Sequence, residues 1–204
     1  MLTIIFPIIG VILTNLIGLN ILKTYIDNRL QIKKEYNEVL FYIVFFNSIS
    51  WLFYGIFIKN IFITLSTPCS LISSFFFIQL LYKNIKYEKI IYIELISSFF
   101  IIYFFLLLII INYSNINENW TQHILGSTAV TTSILYNLSP MLIIREIILT
   151  KNNSLIYLPQ ALIGFVNLVC WFIYGLMINN IYQLITNGIC TIVCFIQIIL
   201  YFNY

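Results

Sequence analysis

Apolar residues run in stretches of about 20 along this chain, with short polar connections between them and no period-two alternation inside them. A stretch of that length crosses the hydrocarbon core of a bilayer as a helix and is too long for a barrel strand. Seven spans are predicted: Thr3–Leu22, Val39–Ile58, Ile61–Tyr82, Ile90–Ile111, Ile124–Leu149, Tyr157–Ile178 and Ile181–Phe202. The expected fold class is an all-α membrane protein, a bundle of seven transmembrane helices.

Composition agrees and adds a direction. With 61% hydrophobic and 8% charged residues and a mean hydropathy of +0.99, the 204 residues carry too few charges to clothe a water-soluble domain. Lys23, Arg29, Lys33 and Lys34 flank the first connection, Lys83, Lys86 and Lys89 the third, and Arg145 and Lys151 the fifth; only Lys59 belongs to the opposite set. The positive-inside rule then puts the N-terminus outside and the C-terminus in the cytoplasm. Met1–Leu22 has no basic leader and no small-residue cleavage site, so the first span is expected to stay. Cys69, Cys170, Cys190 and Cys194 lie within or at the edges of spans without a CxxC pair, as small apolar packing residues do. No disulfide, metal site or cofactor is expected.

A repeat organises the spans. Asn47-x3-Trp51-x2-Tyr54-Gly55-x4-Asn60 returns 120 residues later as Asn167-x3-Trp171-x2-Tyr174-Gly175-x4-Asn180, in the second and sixth spans. Three spans per copy with one between them keeps the copies parallel, since an odd unit alone would invert. The predicted division is 1–83 as the first three-helix repeat, 84–112 as a linking transmembrane helix and 113–204 as the second repeat, a 3+1+3 arrangement. A substrate path is expected between the halves.

The stretch Tyr136-Asn-Leu-Ser-Pro140-Met-Leu-Ile-Ile-Arg145, then Leu158-Pro159, Asn167 through Gly175, Ile185-Thr-Asn187-Gly188 and Gln197-Ile-Ile-Leu-Tyr201, resembles the fifth to seventh helices of the SWEET sugar transporters. In the first half the resemblance rests on Asn47 through Gly55 and Gln79-Leu-Leu-Tyr82. The resemblance implies a facilitative, bidirectional uniporter that moves mono- or disaccharides by alternating access. It also implies a sugar site at Trp51, Trp171 and Asn187, an outer gate pairing Tyr54 with Asn180, where the family usually has Asp, and hinges at Pro140 and Pro159. The first and second spans lack the family's prolines, so more movement is expected of the second half.

Depth supports a site at these positions. Trp51 and Trp171 lie seven residues from the outer ends of their spans, and Thr67 and Asn187 about as far into the spans that follow, which puts all four roughly 10 Å below the boundary. Indole faces with hydroxyl and amide groups at one level suit a pyranose, with its C–H faces and ring of hydroxyls. Thr67-Pro68 stands where Asn187-Gly188 stands in the second copy, so unequal contacts from the two halves are expected. Asn47 and Asn167 fall one turn before the tryptophans on the same face; they join helices or face the site.

Ion coupling finds little support, because Glu94 is the one carboxylate well inside a span and it sits near a cytoplasmic end. His123 is expected at the outer interface. No catalytic set or phosphate loop is visible, so an enzyme is not expected, and nothing points to nucleic acid. The expected partners are a sugar and the lipid bilayer, with association into a homo-oligomer left open, and the plasma membrane is preferred to an endomembrane. The alternative is a PQ-loop-type amino-acid transporter of a lysosome-like compartment. Against it, Pro159-Gln160 opens a span where that motif closes one, and the fifth span carries Pro140-Met141 instead.

Overall fold

The computed structural model describes residues 2–30, 38–82, 103, 118–153 and 156–204. Its described helices are α1 (Leu2–Leu30), α2 (Glu38–Phe57), α3 (Ile61–Leu65), α4 (Pro68–Tyr82), α5 (Glu118–Thr150), α6 (Leu158–Met177) and α7 (Ile181–Asn203), and no strand occurs among the described residues. Leu2–Asn20, Glu118–Thr150, Leu158–Met177 and Ile181–Asn203 are long and apolar enough to cross a membrane; Phe41–Phe57 and Ile61–Phe76 are shorter apolar stretches. The span expected at Ile90–Ile111, with Glu94 and the 84–112 linker, lies outside the described residues apart from Tyr103. That hydroxyl is 2.6 Å from the hydroxyl of Thr128 on α5.

The helices are built inside out relative to those of a water-soluble protein. On α7, Gln183, Thr186, Asn187, Cys190, Val193 and Cys194 are buried, at the i, i+3, i+4, i+7 spacing of one face. Ile185, Ile189, Ile192, Phe195 and Ile199 are exposed on the other side. Polar and small residues inside with bulky apolar residues outside is the pattern that lipid, rather than water, selects.

One predicted span differs from the structure. Ile61–Tyr82 is not one helix but two, α3 and α4, broken at Ser66 and Thr67 ahead of Pro68. Proline has no N–H to give to the carbonyl four residues back, here that of Thr64. The Thr67 hydroxyl donates to that carbonyl instead, at 3.0 Å. The neighbouring pair is separated too, and Asn15 of α1 inserts its amide between its members. Asn15 Nδ2 donates to Leu65 O at 2.9 Å, and Cys69 N donates to Asn15 Oδ1 at 3.4 Å. A side chain from α1 thereby replaces a rung of the helical ladder.

Each half turns back by the same device. Lys59 and Asn179 take the left-handed conformation, with φ of 55° and 51°, two residues past the ends of their helices. Asn60 N donates to Gly55 O and Asn180 N to Gly175 O, both at 2.9 Å, closing two Schellman turns. Gly55 and Gly175 permit the tight return, since a Cβ would meet Thr64 N or Gln183 Cβ at 2.9 Å.

Within the first half α4 packs against both α1 and α2; within the second, α7 packs against both α5 and α6. The halves meet where α1 packs on α6 and α2 on α5. Exchanging α1 with α5, α2 with α6 and α4 with α7 leaves this pattern unchanged. The space enclosed lies along the pseudo-twofold axis.

Candidate functional site

A cavity of about 490 Å³ lies between the halves. Trp51, Trp171, Thr67, Asn187, Asn47 and Asn167 all line it, as does Pro140. Among the described residues that line it, none is charged. Its volume falls in the range of small-molecule sites.

Two matching hydrogen-bonded relays hold the indoles. Trp171 Nε1 donates to Thr14 Oγ1 at 3.0 Å, and that hydroxyl donates to Asn167 Oδ1 at 3.1 Å. In the other half, Trp51 Nε1 donates to Ser133 Oγ at 2.9 Å, and Ser133 Oγ lies 2.7 Å from Asn47 Oδ1. Thr132 Oγ1 also donates to Asn47 Oδ1, at 3.1 Å. Each relay crosses between halves, from the second helix of one to the first helix of the other. The indole N–H groups are thus engaged by protein, and the ring faces are what the tryptophans can offer a ligand. Asn47 and Asn167 both join helices and line the cavity. Thr14 and Ser133 had no distinguishing mark in the sequence among many Ser and Thr; only their partners reveal them.

Gly10 adds a wall behind Trp171. A Cβ there would lie 2.8 Å from Trp171 Cε2, so the ring packs on bare backbone.

The polar edge is unequal between halves. Thr67 directs its proton to Thr64 O. Asn187 Nδ2 donates to Gln183 O at 2.8 Å and to Gln183 Oε1 at 2.7 Å, which leaves Asn187 Oδ1 as the acceptor on the cavity. Gln183, also lining the cavity, was not singled out from sequence.

At one end the cavity is closed by two reciprocal bonds. Asn180 Nδ2 donates to Tyr54 OH at 2.8 Å, and Asn60 Nδ2 donates to Tyr174 OH at 2.7 Å. In the first bond Asn180 donates to the phenol, where a carboxylate could only accept. Its Oδ1 is already taken as the N-cap of α7, accepting from Gln183 N, and Asn60 Oδ1 caps α3 through Phe62 N and Ile63 N. Each asparagine therefore starts one helix with its oxygen and joins the other half with its nitrogen. The second pair was legible in the repeat, which contains both Asn60 and Tyr174. Beside this closure, Tyr182 stacks edge-on with Tyr54 at 5.5 Å, and its hydroxyl contacts exposed His123 Nδ1.

At the other end, exposed Tyr157 and Gln160 line the cavity and form its mouth. Pro140 lies inside α5, where Gln197 Nε2 of α7 reaches its carbonyl at 3.4 Å. Pro159 lies in the first turn of α6, at a position whose N–H has no intrahelical partner to lose. A proline inside a helix leaves the carbonyl four residues back without its N–H partner, which loosens α5 at Pro140; Pro159, in the first turn, leaves none unpaired.

A bundle of helices long and apolar enough to cross a membrane, around a cavity with no charged side chain among its described lining residues, is the arrangement of a membrane transporter. A family model described as "Sugar efflux transporter for intercellular exchange" matches residues 123–204. The bidirectional sugar transporter SWEET10 of Arabidopsis thaliana is 26% identical, over 98% of this chain and 70% of its own length. The bidirectional sugar transporter N3 of Medicago truncatula is 22% identical, over 98% of this chain and 75% of its own. The solved structure of a eukaryotic SWEET transporter shares the fold, with a TM-score of 0.85 over 100% of this chain and 96% of that one at 15% identity. The chain is thus similar to SWEET sugar transporters along nearly its whole length, and its second half matches the family model.

Proposed function

We propose that this chain transports sugar across a membrane as a bidirectional uniporter, by alternating access. The observation that carries the reading is the pair of indoles, one from α2 and one from α6, lining a cavity with no charged side chain among its described residues and with amide and hydroxyl groups beside them. A pyranose stacks its C–H faces on such rings and exchanges hydrogen bonds with such an edge. Trp51 and Trp171 are the stacking residues, Asn187 accepts from a sugar hydroxyl, and the free amide hydrogens of Asn47 and Asn167 donate at the walls. Thr67 contributes its lone pairs.

Alternating access follows from the closed and open ends of one cavity. Tyr54–Asn180 and Tyr174–Asn60 form the gate opposite the mouth. Lys151 and Arg145 are near the mouth in sequence, which favours a cytoplasmic mouth, an outside N-terminus and an inward-facing arrangement. Pro140 is the hinge of α5, and Pro159 shapes the start of α6 at the mouth. The fourth expected span is the link between the two repeats, and the plasma membrane the site of action.

Purified protein in liposomes should equilibrate labelled glucose without an imposed ion gradient. Uptake that needs a proton gradient would sink the uniport mechanism, and uptake confined to amino acids would sink the sugar reading. An amino acid would find no counter-charge among the described lining residues. Trp171→Ala and Asn187→Ala should each lower transport at least tenfold with folded yield intact. Wild-type rates in both variants would remove the site.

A further inference from the structure

Thr186 carries a hydroxyl with no assigned work. Its Oγ1 is buried without any hydrogen-bond partner, and the residue, 6% exposed, lines the cavity beside Asn187. Buried polar groups are almost always paired, so an orphan at a ligand cavity calls for a physical cause. Threonine in a helix normally gives its proton to the carbonyl three or four residues back. Here the carbonyl three back, Gln183 O, already accepts from Asn187 Nδ2 at 2.8 Å. At the matching place in the first half, Ser66 Oγ donates to Ile63 O at 2.7 Å, where the following residue is Thr67 and makes no such claim. Asn187 thus displaces its neighbour's hydroxyl from the backbone.

Because Oγ1 is shielded while the residue lines the cavity, another part of the side chain faces the space. A turn about χ1 exchanges hydroxyl for methyl within staggered wells. We propose that Thr186 is a specificity-determining residue: when a polyol enters, its hydroxyl turns into the cavity and pairs with a sugar hydroxyl next to the one Asn187 Oδ1 accepts from. The inference rests on the sugar reading given above. It makes α7 the polar wall of the site, with Gln183 holding the Asn187 amide in place.

Thr186→Val keeps the shape and deletes the hydroxyl. Glucose binding to the purified full-length protein, read from tryptophan fluorescence, should weaken about fivefold to tenfold. The sugar-free protein should melt about 2–4 °C higher, since an unpaired buried group is removed. Thr186→Ser should retain affinity. Should the valine variant not fold, Thr186→Ala with the same titration takes its place. Wild type that binds no hexose sinks the sugar reading and this inference with it. Wild type that binds while T186V binds equally well sinks this inference alone, as does a T186V protein that melts lower, because the hydroxyl would then be bonded.

Discussion

Thr14 shows how a residue outside the repeated motif can set a binding surface. Its hydroxyl receives the Trp171 indole proton and passes its own to Asn167 Oδ1, so the ring plane and the amide are oriented together. Thr14→Val leaves both partners unpaired, at about 1–3 kcal/mol for each buried group. The expected outcome is a lower melting temperature with weaker hexose binding, rescued by Thr14→Ser; a T14V protein like wild type in both would show the relay to be idle. Gly10 acts on the same ring by sterics. With a Cβ 2.8 Å from Trp171 Cε2, Gly10→Ala must displace an indole that other residues hold, and loss of hexose-dependent fluorescence change checks this. Sequence marked the two tryptophans because the motif recurs, but their orienting hydroxyls reside in the first helices, which share no quotable motif. Gln183 and Thr186 escaped notice for a related reason: their significance comes from which backbone carbonyl Asn187 occupies.

At the scale of the element, the broken third span sets the halves apart. A proline was visible at position 68, yet a hydropathy reading runs through Ile61–Tyr82 without interruption because every residue near the break tolerates lipid. What the sequence could not display was the repair, in which Asn15 from another helix takes the place of a rung. Asn15→Ala should cost about 1–3 kcal/mol, measured by thermal unfolding in detergent. In a Pro68→Ala background the ladder can close on itself, so the penalty of N15A should shrink; an undiminished penalty would place Asn15's contribution elsewhere. The second half carries Gly188 where the first carries Pro68, and α7 continues unbroken. The two copies therefore differ in the helices themselves.

For the whole molecule, two bonds across the pseudo-axis close one end. Tyr54→Phe and Tyr174→Phe each delete one acceptor, worth about 0.5–1.5 kcal/mol, and the double variant should open that end more than either alone. Cys190 and Cys194 are free and line the cavity, so they report access directly. A membrane-impermeant thiol reagent applied on the gate side should label them faster in the double variant; unchanged labelling would show that closure lies elsewhere. The matching turns and caps were legible from the repeat, because each copy keeps its Tyr, Gly and Asn together at one spacing. The fold's second half is also where the family model matches, and the first half is where Thr67-Pro68 departs from the second copy. One further property belongs to the cavity as a whole. No charged side chain among the described residues lines it, so in the proposed alternating-access cycle its reorientation around a neutral ligand carries no charge of that lining across the bilayer. A single displaced charge would couple the cycle to about 2.3 kcal/mol per 100 mV. In the uniport cycle proposed above voltage then does no work, and the expected steady state is equal concentrations on the two sides, reached at the same rate at any membrane potential; a rate that changes with imposed potential would overturn this.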